Sequence, residues 1–207
     1  MRERLSPYFD TLFKATREAE CTADGGESIS LDAALGQVCK ICHVAHDGGN
    51  KVMFIGNGGS MGIATHMAID FSKNGGMRAT AFGDGAVLTC LGNDLGYENV
   101  FASQIEWHGR AGDVLIAISS SGKSPNILNG VQAARSHGCK VVTFSGFRED
   151  NPLRKAGNVN FYVRAMQYGF VEVAHQAILH GILDIDMGWK SGHESRDFRI
   201  LREKDQE

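Results

Sequence analysis

The spacing of apolar and polar residues changes period several times along this 207-residue chain. Leu5, Tyr8, Phe9, Leu12 and Phe13 recur at three- and four-residue intervals, which predicts an amphipathic helix over 5–20. A polar, glycine-containing gap follows from Thr22 to Glu27. A second helix is predicted over 30–46, with the hydroxyl of Ser30 suited to its N-cap and Gly48-Gly49 closing it. From Lys51 onward, continuous apolar runs alternate with helical spacing. Strands are predicted at 52–55, 77–82, 114–118, 140–145 and 159–163, and helices at 61–72, 99–108, 124–137 and 170–187.

Strands that are apolar throughout and alternate with helices need cover on both faces. The pattern therefore predicts an α/β fold with a doubly wound, mostly parallel, five-stranded sheet flanked by helices. In such sheets ligands sit at the carboxyl ends of the strands. The two leading helices form an N-terminal extension that so small a sheet cannot bury alone, so they are expected to pack against another subunit. One domain is expected over 1–190, including the helices of 5–47, followed by a charged C-terminal tail over 191–207.

Composition narrows the function classes. A hydrophobic share of 43% with 26 glycines suits one well-packed domain. The net charge of −3 carries no basic footprint, so nucleic acid is not an expected partner. No apolar run reaches the roughly 20 residues of a membrane span, and Met1-Arg2-Glu3-Arg4 leads into an amphipathic segment, so no membrane association and a cytoplasmic location are expected. The odd count of five cysteines suits reduced thiols. Cys39-Lys40-Ile41-Cys42-His43 has the spacing of a haem-attachment or redox motif, but no export signal, second cysteine pair or preceding strand supports it. Structural thiols are the expectation.

Three places carry candidate chemistry. The first is Gly56-Asn57-Gly58-Gly59-Ser60, a glycine-rich turn between a strand and a helix, where backbone N–H groups and a helix N-terminus favour an anion. Such a turn also opens dinucleotide folds and ordinary tight turns. Its helix continues to His66 and Asp70, four residues apart on one face, a pair suited to a metal or to acid/base work. The second is Ser119-Ser120-Ser121-Gly122-Lys123-Ser124-Pro125-Asn126 after the third strand, a dense cluster of hydroxyls that can cradle a phosphoryl group. Gly122-Lys123-Ser124 imitates the end of a nucleotide-binding P-loop, but Ala117 stands where its first glycine belongs. The third is the last helix, with Glu172, His175 and His180. Glu172 and His180 lie roughly 80° apart around the axis, whereas His175 is roughly 140° from His180 and the poorer partner. His66, Asp70, Glu172 and His180 together are a plausible ligand set for zinc or another divalent metal. Asn93 and Asp94, in a Gly-flanked segment, are candidates for recognising sugar hydroxyls.

These residues and their order resemble a known family. Gly56-Asn57-Gly58-Gly59-Ser60 with His66, Gly92-Asn93-Asp94-Leu95-Gly96-Tyr97, and Gly112-Asp113-Val114-Leu115-Ile116 leading into the serine loop are similar to the phosphoheptose (sedoheptulose 7-phosphate) isomerases of the sugar isomerase (SIS) domain superfamily. The resemblance runs to about residue 188 and implies a flavodoxin-like SIS fold. It implies that Ser119, Ser120, Ser121 and Ser124 hold the phosphate and that Asn57, Gly58, Asn93 and Asp94 line the sugar, with Gly59 in the same loop. It implies that His66 and His180 are metal ligands, that His180 also moves protons, that the metal is zinc, and that a homotetramer places the sites at subunit interfaces.

This chain departs from the family at Asp70, where the family has Glu, and at Glu172, where it has Gln. Ser72-Lys73-Asn74 replaces Thr-Gly-Arg, and Gly169-Phe170-Val171 replaces a polar Asp-Arg segment. Asp70 is shorter by one methylene, about 1.5 Å. The expected activity is a ketose–aldose isomerisation through an enediol, with Asp70 and His180 as the proton-transfer pair and Glu172 among both the metal ligands and the substrate contacts. The competing expectations are an isomerase of a different sugar phosphate, and a non-catalytic SIS protein that binds a partner such as a replication initiator.

Overall fold

The computed structural model describes residues 2–189, and the charged tail expected over 191–207 lies outside them. In chain order the elements are α1 (Arg2–Arg17), β1 (Glu20–Ala23), β2 (Ser28–Ile29), α2 (Leu31–Asp47), β3 (Val52–Gly56), α3 (Gly59–Lys73), β4 (Ala79–Ala81), α4 (Gly85–Asp94), α5 (Ala102–His108), β5 (Val114–Ser119), α6 (Pro125–Ser136), β6 (Lys140–Gly146), β7 (Val159–Val163) and α7 (Tyr168–Asp186). The cap expected for α2 is in place, with the Ser30 hydroxyl accepting from the N–H of Ala33 at 3.1 Å.

One seven-stranded sheet runs in the order β2-β1-β7-β6-β5-β3-β4. The five strands expected from the apolar runs pair in parallel. The two extra strands come from the polar gap, where β1 runs antiparallel to both β2 and β7. Gly25 and Gly26, at φ 85° and 87°, turn the chain between them, a conformation that glycine adopts without penalty. Glu20 anchors this hairpin by accepting from Arg154 at 2.5 Å and from Arg164 at 2.7 Å. Only Cys21 of β1 is buried, so the strand carries almost no hydrophobic signature.

Successive side chains of the central strands enter opposite layers, as the pleat requires. Val52 and Phe54 of β3, Val114, Ile116 and Ile118 of β5, and Val142 and Phe144 of β6 pack with α2, α3 and α7. Met53 and Ile55, Leu115 and Ala117, and Val141 face α5 and α6. This two-sided burial is why the strands read as unbroken apolar runs. A further difference is α4, in a stretch read as a connection. Asp84 caps it, accepting from the N–H of Val87 at 3.0 Å, but Leu91 is its one buried residue, so its periodicity is faint.

The order of the strands positions the site. β3 lies between β4 and β5, so the chain leaves it toward one edge and later returns on its other side. The crevice at such a switch point, outside the carboxyl ends of the strands, is where α/β sheets bind ligands. Gly56 pairs in register with Ile118, which brings the glycine loop and the serine loop side by side.

Candidate active site

The glycine loop is built by close approach. A Cβ on Gly56 would stand 2.5 Å from the backbone carbonyl of Ser60, and Gly58 at the N-cap of α3 has φ 53°. Only glycine lets the strand turn so tightly into the helix. The neighbouring loop is equally constrained. Gly122 has φ 62°, and a Cβ there would overlap the Asn151 side chain. Asn151 is buried and donates to the Gly146 carbonyl at 3.2 Å and the Arg148 carbonyl at 2.7 Å.

A reciprocal amide pair joins the two loops. Asn57 donates to the Asn126 carbonyl oxygen and Asn126 donates back, both at 2.9 Å. Tyr97 donates its hydroxyl to Asn57 at 3.1 Å. Neither Asn126 nor Tyr97 was expected among the site residues from sequence. Asn126 closed the serine motif and could have been found from its place in the first turn of its helix; nothing marked Tyr97 except its place in the Gly-flanked segment.

Between the loops lies a cavity of about 120 Å³ lined by Asn57, Ser60, the four serines Ser119, Ser120, Ser121 and Ser124, and Tyr168 and Glu172. This brings the expected phosphate residues together. Ser119 and Ser121 brace the loop itself, accepting from the N–H of Gly122 at 3.2 Å and of Lys123 at 3.3 Å. Ser120 is 4% exposed and its hydroxyl has no partner among the described residues. A buried hydroxyl left unpaired is costly, and an oxyanion in the cavity would satisfy it.

The second cluster sits farther along α3. His66 Nε2 lies 3.2 Å from Asp70 Oδ2 and 3.2 Å from His180 Nε2, and His180 Nδ1 lies 3.9 Å from Asp70 Oδ2. Each of the three residues offers a ligand atom within 4.8 Å of the others. Ligands about 2.1 Å from a tetrahedral centre stand about 3.4 Å apart, so two imidazoles and a carboxylate at these separations fit zinc with one position left open. The shorter Asp70 therefore still reaches both histidines. Its other oxygen, Oδ1, faces Asn74 at 3.4 Å.

Glu172, expected as the fourth ligand, is outside this cluster. Its carboxylate covers the start of α3, where a Cβ on Gly59 would stand 2.6 Å from it. The small angle between Glu172 and His180 omitted the axial term: eight residues climb about 12 Å. Glu172 thus joins the serine cavity as a substrate contact would, against the positive end of α3. Gly58 and Gly59 lie on the exposed rim of the loop. Asn93 and Asp94 end α4 instead of lining a loop; they are exposed, bond each other at 2.7 Å and do not line the cavity.

His175 points away from the site into the core, as its angle suggested. It is 0% exposed and donates from Nε2 to the Ser145 carbonyl at 3.0 Å. Its Nδ1 is buried without a partner among the described residues. Burial pulls its pKa from 6.5 to about 4, opposed by the bond to Ser145. The Cys-x-x-Cys thiols are equally committed to structure. Burial first, then nearby Asp186 or the neighbouring thiol, pushes Cys39 up to about 11 and Cys42 up to about 12, while His43 pairs with Asp186 at 2.7 Å.

A parallel sheet with an anion cradle and a histidine–carboxylate cluster at its switch point defines a class, and comparison with known proteins gives it a name. The chain belongs to the SIS domain family, whose model matches residues 28–146, within the group of the phosphoheptose isomerases. It is 38% identical over 140 residues to the phosphoheptose isomerase of Klebsiella pneumoniae, covering 64% of this chain and 71% of that one. Its similarity to the phosphoheptose isomerase of Citrifermentans bemidjiense is 29% over 178 residues, 83% of this chain and 92% of the relative. The solved structure of the phosphoheptose isomerase from Neisseria gonorrhoeae superposes with a TM-score of 0.77 at 29% identity, over 89% of this chain and 98% of that one.

Proposed function

We propose that this protein is a sugar-phosphate aldose–ketose isomerase acting on sedoheptulose 7-phosphate, with D-glycero-D-manno-heptose 7-phosphate as product. The observation that carries this reading is the distance between the two halves of the site. Ser60 lines the phosphate cavity, and His66 stands six residues further along the same helix, roughly 9 Å along its axis. A substrate with its phosphate at one end and its carbonyl at the other matches that separation. The phosphate, held by Ser119, Ser120, Ser121 and Ser124, supplies binding energy that places the reacting carbons without itself changing.

Asp70 takes the proton from the hydroxyl-bearing carbon beside the carbonyl and returns it to the former carbonyl carbon. With Oδ2 turned to the histidines, Oδ1, which accepts only a long 3.4 Å bond from Asn74, is the oxygen assigned to this transfer. His180 moves the other proton between the two substrate oxygens, so the reaction balances internally. His66, Asp70 and His180 are the proposed zinc ligands. Bound there, the ion would supply Lewis-acid stabilisation of negative charge on the substrate oxygens.

We also infer a homotetramer in the cytoplasm. Leu5, Tyr8, Phe9 and Phe13 leave an apolar face of α1 exposed, which a second subunit would cover. No helix among the described residues is long and apolar enough to cross a membrane.

The test is to incubate zinc-reconstituted protein with sedoheptulose 7-phosphate and follow aldose phosphate formation, with Asp70→Ala and His180→Ala beside it. Turnover lost in both variants supports the assignment. Absence of turnover by the folded, metal-loaded wild type overturns it.

A further inference from the structure

A cavity larger than the one described above lies elsewhere in the molecule. It has a volume of about 420 Å³ and opens at the opposite end of the sheet, where β3, β4 and β5 begin. The five residues of β3 put roughly 16 Å between Lys51 at this end and the glycine loop at the other.

Its charge is concentrated and mostly unspent. Asp113, 1% exposed, is fully engaged, accepting from Lys51 Nζ at 2.5 Å, the Lys51 N–H at 2.9 Å and the Arg110 N–H at 2.9 Å. Lys51 is thereby neutralised. Arg78 lines the cavity and donates to the Gly49 carbonyl, and its other N–H groups have no partner among the described residues. The Arg110 guanidinium makes no hydrogen bond or ion pair among the described residues. Two uncompensated guanidinium groups thus line one cavity of a chain whose net charge is −3. The lining is also aromatic: the Phe82 and His108 rings meet at a tilt of 32° with centroids 6.1 Å apart, and Trp107 is 60% exposed.

We infer that this cavity is a second ligand site, for a nucleoside phosphate. Guanidinium forks match phosphate oxygens, and an exposed indole beside them offers a stacking surface for a flat base. The volume falls in the range of small-molecule sites, larger than a lone phosphate requires. The one carboxylate here, Asp113, is buried and taken up by Lys51 and by the backbone N–H of Arg110, so it offsets neither guanidinium.

The inference is tested on the full-length protein by calorimetric titration with ADP, GDP and UDP, with pyrophosphate alone in parallel. At least one nucleotide is expected to bind and to change tryptophan fluorescence, a change that Trp107→Phe removes. Arg78→Ala and Arg110→Ala should each weaken binding about tenfold or more without altering sugar-phosphate turnover. Trp107→Ala should weaken the nucleotide and leave pyrophosphate unchanged, while Ser121→Ala leaves the nucleotide unchanged. Thermal melts confirm that each variant is folded. Absence of nucleotide binding at millimolar concentration overturns the inference. So does pyrophosphate binding as tightly as every nucleotide, or binding that Ser121→Ala abolishes and Arg110→Ala spares.

Discussion

Replacing His175 by leucine should remove a defined part of the protein's sensitivity to acid. The imidazole is wholly buried against Phe144, with ring centroids 5.6 Å apart, and its pKa is held at about 4 instead of 6.5. Above pH 6.5 the side chain is neutral whether the chain is folded or not, and the group adds no pH dependence. As pH falls from 6.5 to about 4 the unfolded chain takes up the proton and the folded chain does not, so stability is lost across that window and no further below it. At 1.36 kcal/mol per pH unit, the fall from 6.5 to about 4 is worth about 3 kcal/mol. Leucine is apolar and similar in size, and it leaves the Ser145 carbonyl without its donor, at a pH-independent cost of about 1–3 kcal/mol. Leucine also removes the unpaired Nδ1, which offsets that cost at pH 7, and the variant should lose less stability on acidification than the wild type. The assay is urea unfolding followed by circular dichroism between pH 7 and 4, at one protein concentration and with chelator present so that the histidines of the metal cluster contribute equally to both. Other titrating groups cancel in the difference between the two proteins. A wild-type-minus-variant difference that is the same at pH 7 and pH 4 would refute the reasoning.

Ser120→Ala should raise the unfolding midpoint, because it removes a buried hydroxyl that has no partner among the described residues, yet weaken phosphate or sugar-phosphate binding about tenfold through the missing charge-assisted hydrogen bond, read by calorimetry. Asn126→Ala removes both amide bonds to Asn57 and the acceptor for the Ile127 N–H at 3.0 Å; a stability loss of about 1–3 kcal/mol by urea titration and a raised KM are expected. Dialysis against a strong chelator should abolish turnover, and returning zinc should raise the melting temperature of the wild type but not of His66→Ala.

The parallel sheet was legible because its strands are buried on both faces and so carry the strongest local signal a chain can show. The hairpin of β1 and β2 was not, since β1 is held by its ladder to β7 and by Glu20 reaching two arginines, all more than 130 positions away, pairings that no window of sequence contains. The serine loop could be read from the hydroxyls of Ser119 to Ser124, each a donor and acceptor beside a helix N-terminus. The amide pair of Asn57 and Asn126 could not, because it depends on β3 and β5 lying in register. Helical angle correctly turned His175 away from His180 and wrongly joined Glu172 to it, since angle carries no information on the rise along the axis.

The antiparallel hairpin also sets a sequence of events. β1 leaves the ribosome well before the edge it pairs with, β7, where Glu20 stands opposite Tyr162. At roughly 5–20 residues per second, the intervening chain takes on the order of ten seconds to synthesise. For that interval α1 and the hairpin have no sheet to join, and α1 has not yet met the Phe170 ring that its Tyr8 will pack against at 4.7 Å. α1 and the hairpin therefore dock only once β7 has been made, and the pairing of β1 covers the edge of β7 that would otherwise be open to a neighbouring chain.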